Sequence, residues 1–211
     1  IAKYRGRYDE GWDVMRERRY NRMLELGLIN TDEVPVVENA SGRKWENESN
    51  KAFQAANMEV HAAMIDCVDQ NIGRIIDELK RRGLYDNTLI IFTSDNGASS
   101  ENHGIGSFDR HDRTRDGQMV VHNSPTPGGQ LTYNYLHTGW AGAVNAPFRY
   151  WKTTQFHGGV AAPTIVQTIF RPPEICGFLL RTARRALPDR LLDIFSASLD
   201  EYPPPRSSPS F

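Results

Sequence analysis

From residue 55 to residue 82 the apolar side chains Val60, Met64, Val68, Ile72, Ile75 and Leu79 recur at intervals of four, four, four, three and four, which draws one stripe along a helix. The end of that helix is also written in the chain. Lys80, Arg81 and Arg82 suit the negative end of the dipole, Gly83 suits the stop, and Asp86 and Asn87 are turn residues. Residues 89–93 (LIIFT) follow. They are short, apolar and β-branched, and so predict a buried strand in a mixed or parallel sheet. A long helix feeding through a turn into a buried strand is half of an α/β repeat, and no other feature restricts the fold class as much.

The strand runs abruptly into residues 94–97, SDNG. Asp95 and Asn96 would then stand at the carboxyl end of a strand, where open α/β sheets bind their ligands. Both offer oxygen, the donor that calcium and magnesium take, and Gly97 allows the backbone to turn tightly. The same residue types also make ordinary turns, and these four residues alone leave both readings open.

The 211 residues suit one domain or a large piece of one. With 25 basic against 26 acidic side chains, the charge balance gives no support to a nucleic-acid or membrane-surface role. No apolar run approaches the ~18 residues that a spanning helix needs. The opening IAKYRGRYDEGWD lacks the features of a signal peptide, and the first methionine is Met15. An internal piece of a longer chain is therefore expected. Cys67 and Cys176 are too few for a disulfide framework, and Cys67 is expected to be a small packing residue on the long helix. A second helix is expected over 13–26 with Gly27 as its stop, and the RERR run at Arg16–Arg19 as its solvated face. His103, His111 and His122 fall in a loop-rich stretch within 102–130, a surface insertion near a site mouth. Loop exposure and substrate contact are both open to them.

Three blocks in this order, YRGRYDEGWD, then MEVHAAMIDCVDQNIGRIIDELKRRGLYDNTLIIFTSDNGAS, then HTGWAGAVNAPFRYWKTTQFHGGVAAPTIV, closely resemble the sulfatase family, arylsulfatases in particular. The resemblance covers residues 1–166, a partial catalytic domain, with a weaker echo in RLLDIFSASLDEYPP. Residues 167–211 are expected to be a diverged or poorly ordered tail, or the product of a reading-frame disturbance; the final PPPRSSPSF has a disordered composition.

The resemblance implies an alkaline-phosphatase-like α/β sandwich, its mainly parallel central sheet flanked by helices and present here as a fragment. It implies sulfate-ester hydrolysis with a calcium ion and a cysteine-derived formylglycine, and a sulfated small molecule or sulfated sugar as substrate. It also implies an extracytoplasmic location for full-length members, whether periplasmic, secreted or lysosomal. Asp95 and Asn96 match the metal ligands of the family's S-D-N-G motif. Lys152, in PFRYWKTTQFHGG, matches the lysine that contacts the sulfate and stabilises charge near the leaving oxygen. A cation and an ammonium together neutralise an anionic group in transfer. Asp95 and Lys152 are accordingly expected to converge on one cleft. His137 and His157 lie close to these motifs without matching a catalytic histidine, and Phe148 and Trp151 are expected to pack around the lysine segment.

The family's nucleophile motif, C-x-P-S-R, is matched by neither cysteine: Cys67 has Asp69 and Asn71 at the proline and arginine positions, and Cys176 has Phe178 and Leu180. The nucleophile, the aspartate pair that opens the family's metal site, a lysine and histidines are expected upstream, and the isolated chain is expected to be inactive. Two other readings share these residues: a phosphoester hydrolase of the same superfamily, and a non-catalytic sulfatase remnant.

Overall fold

A computed structural model describes residues 1–32, 34–35, 38–100 and 112–167. Residues 168–211 of the tail, Cys176 among them, and His103 and His111 therefore lie outside the described residues. Two longer helices dominate, α1 (Gly11–Glu25) and α2 (Lys51–Arg81). They are followed by β1 (Ile90–Thr93), β2 (Val121–His122), β3 (Thr132–Tyr133), α3 (Thr138–Val144), α4 (His157–Val160) and β4 (Thr164–Gln167).

Helix α2 ends as its sequence predicts. Gly83 sits at φ +67, its N–H donates to the Lys80 carbonyl at 3.0 Å, and the Leu84 N–H donates to Leu79 at 2.9 Å. This pair of bonds satisfies two of the last carbonyls, and it needs a left-handed residue at 83.

The core forms where α1 meets α3. Trp12 and Trp140 are fully buried beside Trp45, Ala55, Met58 and Ala143. The tryptophan rings meet edge to face, Trp12 to Trp45 at 4.8 Å and Trp12 to Trp140 at 5.7 Å between centroids. The two fully buried indoles each have an acceptor: Trp12 donates to the Arg43 carbonyl at 3.1 Å and Trp140 to the Gln54 carbonyl at 2.9 Å. Large aromatic area with its polar atoms satisfied is what stabilises so small a core. His137 belongs to it. Its ring stacks on Trp12 at 5.6 Å, and its Nδ1 accepts from the Gly139 N–H, capping α3.

Several expectations are corrected here. β1 is not an interior strand: Ile91 is 54% exposed and Phe92 45% exposed, and its described partner is β4, antiparallel, with Ile90 opposite Gln167 and Thr93 opposite Thr164. The second sheet is the short parallel pair β2–β3, so no parallel central sheet forms among the described residues. The physical reason is that an apolar run reports a strand's demand for cover, and among the described residues that cover is missing from most of β1. Helix α2 repeats this pattern. Its first turns are buried through Gln54, Ala55, Asn57 and Met58, whereas Met64, Val68 and Ile75 of the predicted stripe are exposed. Cys67 is exposed too, rather than packed.

The RERR reading is also corrected. Arg16 is buried, and its guanidinium donates to the carbonyls of Gly142, Pro147 and Phe148, the latter two at 3.2 Å. Arg19 Nε donates to the Ala146 carbonyl at 3.2 Å. Arg16 lies one helical turn from Trp12 and one from Tyr20, on the buried stripe, and there it satisfies the chain leaving α3. Arg18 behaves as expected: exposed, it pairs with Glu10 at the surface. No helix among the described residues is long and apolar enough to cross a membrane.

Candidate active site

The SDNG turn leaves β1 at the point where β4 ends its pairing. The Ser94 N–H donates to the Pro163 carbonyl at 3.4 Å, and the Thr93 and Thr164 hydroxyls meet at 2.8 Å. Asp95 is exposed and Asn96 half-buried, and the Asn96 amide donates to the Asp95 carboxylate. The Ser94 hydroxyl closes the turn on the Asn96 carbonyl at 2.9 Å.

Gly97 is buried against the third block of the chain. Its N–H donates to the Gly159 carbonyl at 3.1 Å, and a Cβ placed on it would stand 1.6 Å from the Gly158 carbonyl oxygen. Only glycine allows the two backbones to approach this closely. One residue further, the Ala98 carbonyl accepts from the N–H of Lys152 at 2.9 Å. The structure therefore brings the 94–98 turn and the 149–159 segment together along their backbones.

Lys152 is half-buried in a tightly wound loop. α3 ends at Val144, the Ala146–Pro147 bond is cis, and Tyr150 and Thr153 adopt φ values of +62 and +76. Positive φ is uncommon for a side chain with a Cβ and an outlier for a β-branched one such as Thr153. Interlocking bonds hold these conformations. The Gly158 N–H donates to Arg149 at 3.1 Å, the Thr154 hydroxyl donates to Trp151 at 2.7 Å, and the Tyr150 ring packs on Phe156 at 4.6 Å. Asn145 reaches both segments: its Oδ1 accepts from the Ala98 N–H at 3.0 Å, and its Nδ2 donates to the carbonyls of Tyr150 and Gly158.

The other histidines separate by environment. His157 opens α4, exposed, with its ring 5.8 Å from Phe148. His137 is structural, as described. His122 lies on β2 and its Nε2 faces Asp112 at 3.0 Å, so it is tied within its own segment.

As metal donors, a carboxylate and a carboxamide are the hard oxygens that calcium takes. They are two where calcium usually takes six to eight. No cluster of three or more His, Cys, Asp or Glu side chains suited to a metal occurs among the described residues. The two oxygens are of the kind a calcium ion takes, and the Asn96 amide N–H is turned toward the Asp95 carboxylate.

Asn145 was not singled out from the sequence, and Arg16 was read there only as part of a solvated face. Arg16 had a signal, its spacing of four from Trp12 and from Tyr20. Asn145 had none beyond standing two residues before Pro147, because its partners are backbone groups brought in from three places.

A sulfatase family model matches residues 1–168. An uncharacterized sulfatase of Schizosaccharomyces pombe is 35% identical over 206 residues, covering 96% of this chain and 34% of that protein. An arylsulfatase of Klebsiella aerogenes is 31% identical over 164 residues, covering 76% of this chain and 34% of that enzyme. Arylsulfatase J of Mus musculus is 40% identical over 58 residues, 28% of this chain and 9% of that protein. The chain thus spans about a third of the first two relatives.

Proposed function

The chain belongs to the sulfatase family, and we propose that it is the part of an arylsulfatase-type sulfuric ester hydrolase that supplies two metal ligands and the sulfate-binding lysine. The observation that carries this reading is the backbone junction of the SDNG turn with the Lys152 loop, sealed by the Lys152 N–H on the Ala98 carbonyl. Two motifs far apart in the chain meet there, and each matches a motif of the family's site.

In this reading Asp95 and Asn96 would hold calcium, which when bound neutralises charge on the sulfate group. Lys152 contacts a sulfate oxygen and stabilises the charge that develops near the leaving oxygen. Because its main chain is hydrogen-bonded and its neighbours are held at positive φ, the base of that side chain is set before substrate arrives. The nucleophile is assigned to a formylglycine outside these 211 residues, and no described side chain is given that role. The substrate class is a sulfated small molecule or a sulfated sugar, cleaved to an alcohol or phenol and sulfate.

The test uses the full-length protein as its gene encodes it, with 4-nitrophenyl sulfate and 4-nitrophenyl phosphate as substrates, with and without calcium. Calcium-dependent sulfate release that falls at least about 100-fold in K152A and in D95A is expected, in line with removal of a charge-stabilising group. Preference for the phosphate ester would favour a phosphoester hydrolase instead. No turnover of either ester would favour a non-catalytic remnant.

A further inference from the structure

The carboxamide of Asn145 has a fixed root and three backbone partners. Its own N–H donates to Ala141 at 3.1 Å in the last turn of α3, and its carbonyl accepts from Phe148 at 3.0 Å. From this root Oδ1 takes the Ala98 N–H, while Nδ2 gives one bond to Tyr150, at 2.8 Å, and one to Gly158. Both amide protons and the oxygen are in use. One side chain therefore touches the residue after Gly97, the second residue before Lys152 and the glycine that faces Gly97.

Few residue types could replace it. Aspartate keeps an acceptor for Ala98 but sets an oxygen against two carbonyls, and alanine leaves all three groups without their partner. Tyr150 holds φ +62 and Thr153 holds +76, on either side of Lys152. Such conformations persist only where the surroundings over-determine them, and the bond from Asn145 to the Tyr150 carbonyl is part of that determination.

We propose that Asn145 is a positioning residue of the site, its carboxamide clamping the Lys152 loop onto the SDNG turn so that the lysine and the metal-ligand pair keep one spacing. The proposal rests on reading Asp95, Asn96 and Lys152 as that site. It adds a residue that touches neither sulfate nor metal and acts through Lys152.

Four variants of the full-length protein test it: N145A, N145D, K152A and N145A/K152A. In both Asn145 variants the amides of Lys152 and Gly158 should exchange hydrogen about tenfold faster or more, while the Met58 amide in the core keeps its rate. The Ala98 amide should speed up in N145A and stay protected in N145D, which retains the acceptor. Unchanged exchange at Lys152 in both variants overturns the clamp. So does a rise at Met58 as large as that at Lys152, because Asn145 would then support the fold rather than the loop. With 4-nitrophenyl sulfate, N145A should lose about 100-fold in kcat, the scale of a small misplacement of a catalytic group. N145A/K152A should be no slower than K152A, as for two residues acting as a unit. Losses that multiply would overturn action through Lys152. If K152A keeps full activity, the assignment of Lys152 fails, and the exchange rates still decide whether Asn145 clamps the loop.

Discussion

The N–H of Lys152 donates to the carbonyl of Ala98 at 2.9 Å, and this bond, with that from Gly97 to Gly159 at 3.1 Å, joins the two motifs that make the candidate site. Gly97 is the tightest point of that junction. In G97A the new methyl would have to clear a carbonyl oxygen from 1.6 Å, so one backbone must retreat. A destabilisation of about 1–3 kcal/mol is expected, as for overpacking of a closed site. Urea unfolding followed by tryptophan fluorescence would measure it, and an unchanged midpoint would show the junction to be looser than the structure has it.

Two arginines of the RERR run, Arg16 and Arg18, should behave differently. R16M removes donors from three carbonyls at a buried position and should cost about 2–5 kcal/mol. R18A removes an exposed pair with Glu10 and should change stability by less than about 1 kcal/mol. Similar midpoints for the two variants would mean that Arg16 is dispensable to the chain leaving α3.

What could be read from the sequence depended on how local its cause was. The stop at Gly83 was legible because a Schellman turn is made within six residues, and the helix over 55–82 was legible from its period. The meeting of residues 94–98 with 149–159 came only through family resemblance, since no local pattern encodes a contact between distant backbones. Burial of β1 was misjudged for a related reason. LIIFT states what the strand needs, whereas exposure depends on what packs against it, and the chain spans about a third of the two relatives that cover most of it. Arg16 was misjudged because charge was weighed before position: on a stripe with Trp12 and Tyr20 even a guanidinium is carried inward, provided that carbonyls await it.

The apolar face of α2 gives a third prediction. Met64, Val68 and Ile75 lie on one side of the helix and are 62%, 46% and 62% exposed. Contiguous apolar surface of this kind drives association or takes up a hydrophobic dye. The 211-residue chain should therefore sediment as concentration-dependent oligomers and enhance ANS fluorescence. V68K/I75K should weaken both effects without unfolding α2, which circular dichroism can verify. Monomeric behaviour of the unaltered chain at all concentrations would contradict an exposed stripe.

The last prediction concerns pH. Burial holds His137 below the ordinary histidine value, with the Arg43 charge acting in the same direction and Glu48 against both. Its Nδ1 must stay unprotonated to accept from Gly139 and cap α3. Above a pH of about 6.5 the ring is neutral in the folded and unfolded chains, and stability does not depend on it. As pH falls below that value the unfolded chain takes up a proton that the native chain refuses, so stability declines until the lowered native pKa is reached. The slope can approach ~1.4 kcal/mol per pH unit for one such group. His61 on α2, also lowered by burial, adds a slope of the same sign. H137N isolates the first contribution, because asparagine can cap the helix and does not titrate in this range. Loss of the ring's stacking on Trp12 lowers the stability of H137N by a constant amount at every pH, whereas its acid slope should be shallower than that of the unaltered chain. Equal slopes between pH 5 and 7 would show that His137 is protonated as readily in the core as in water.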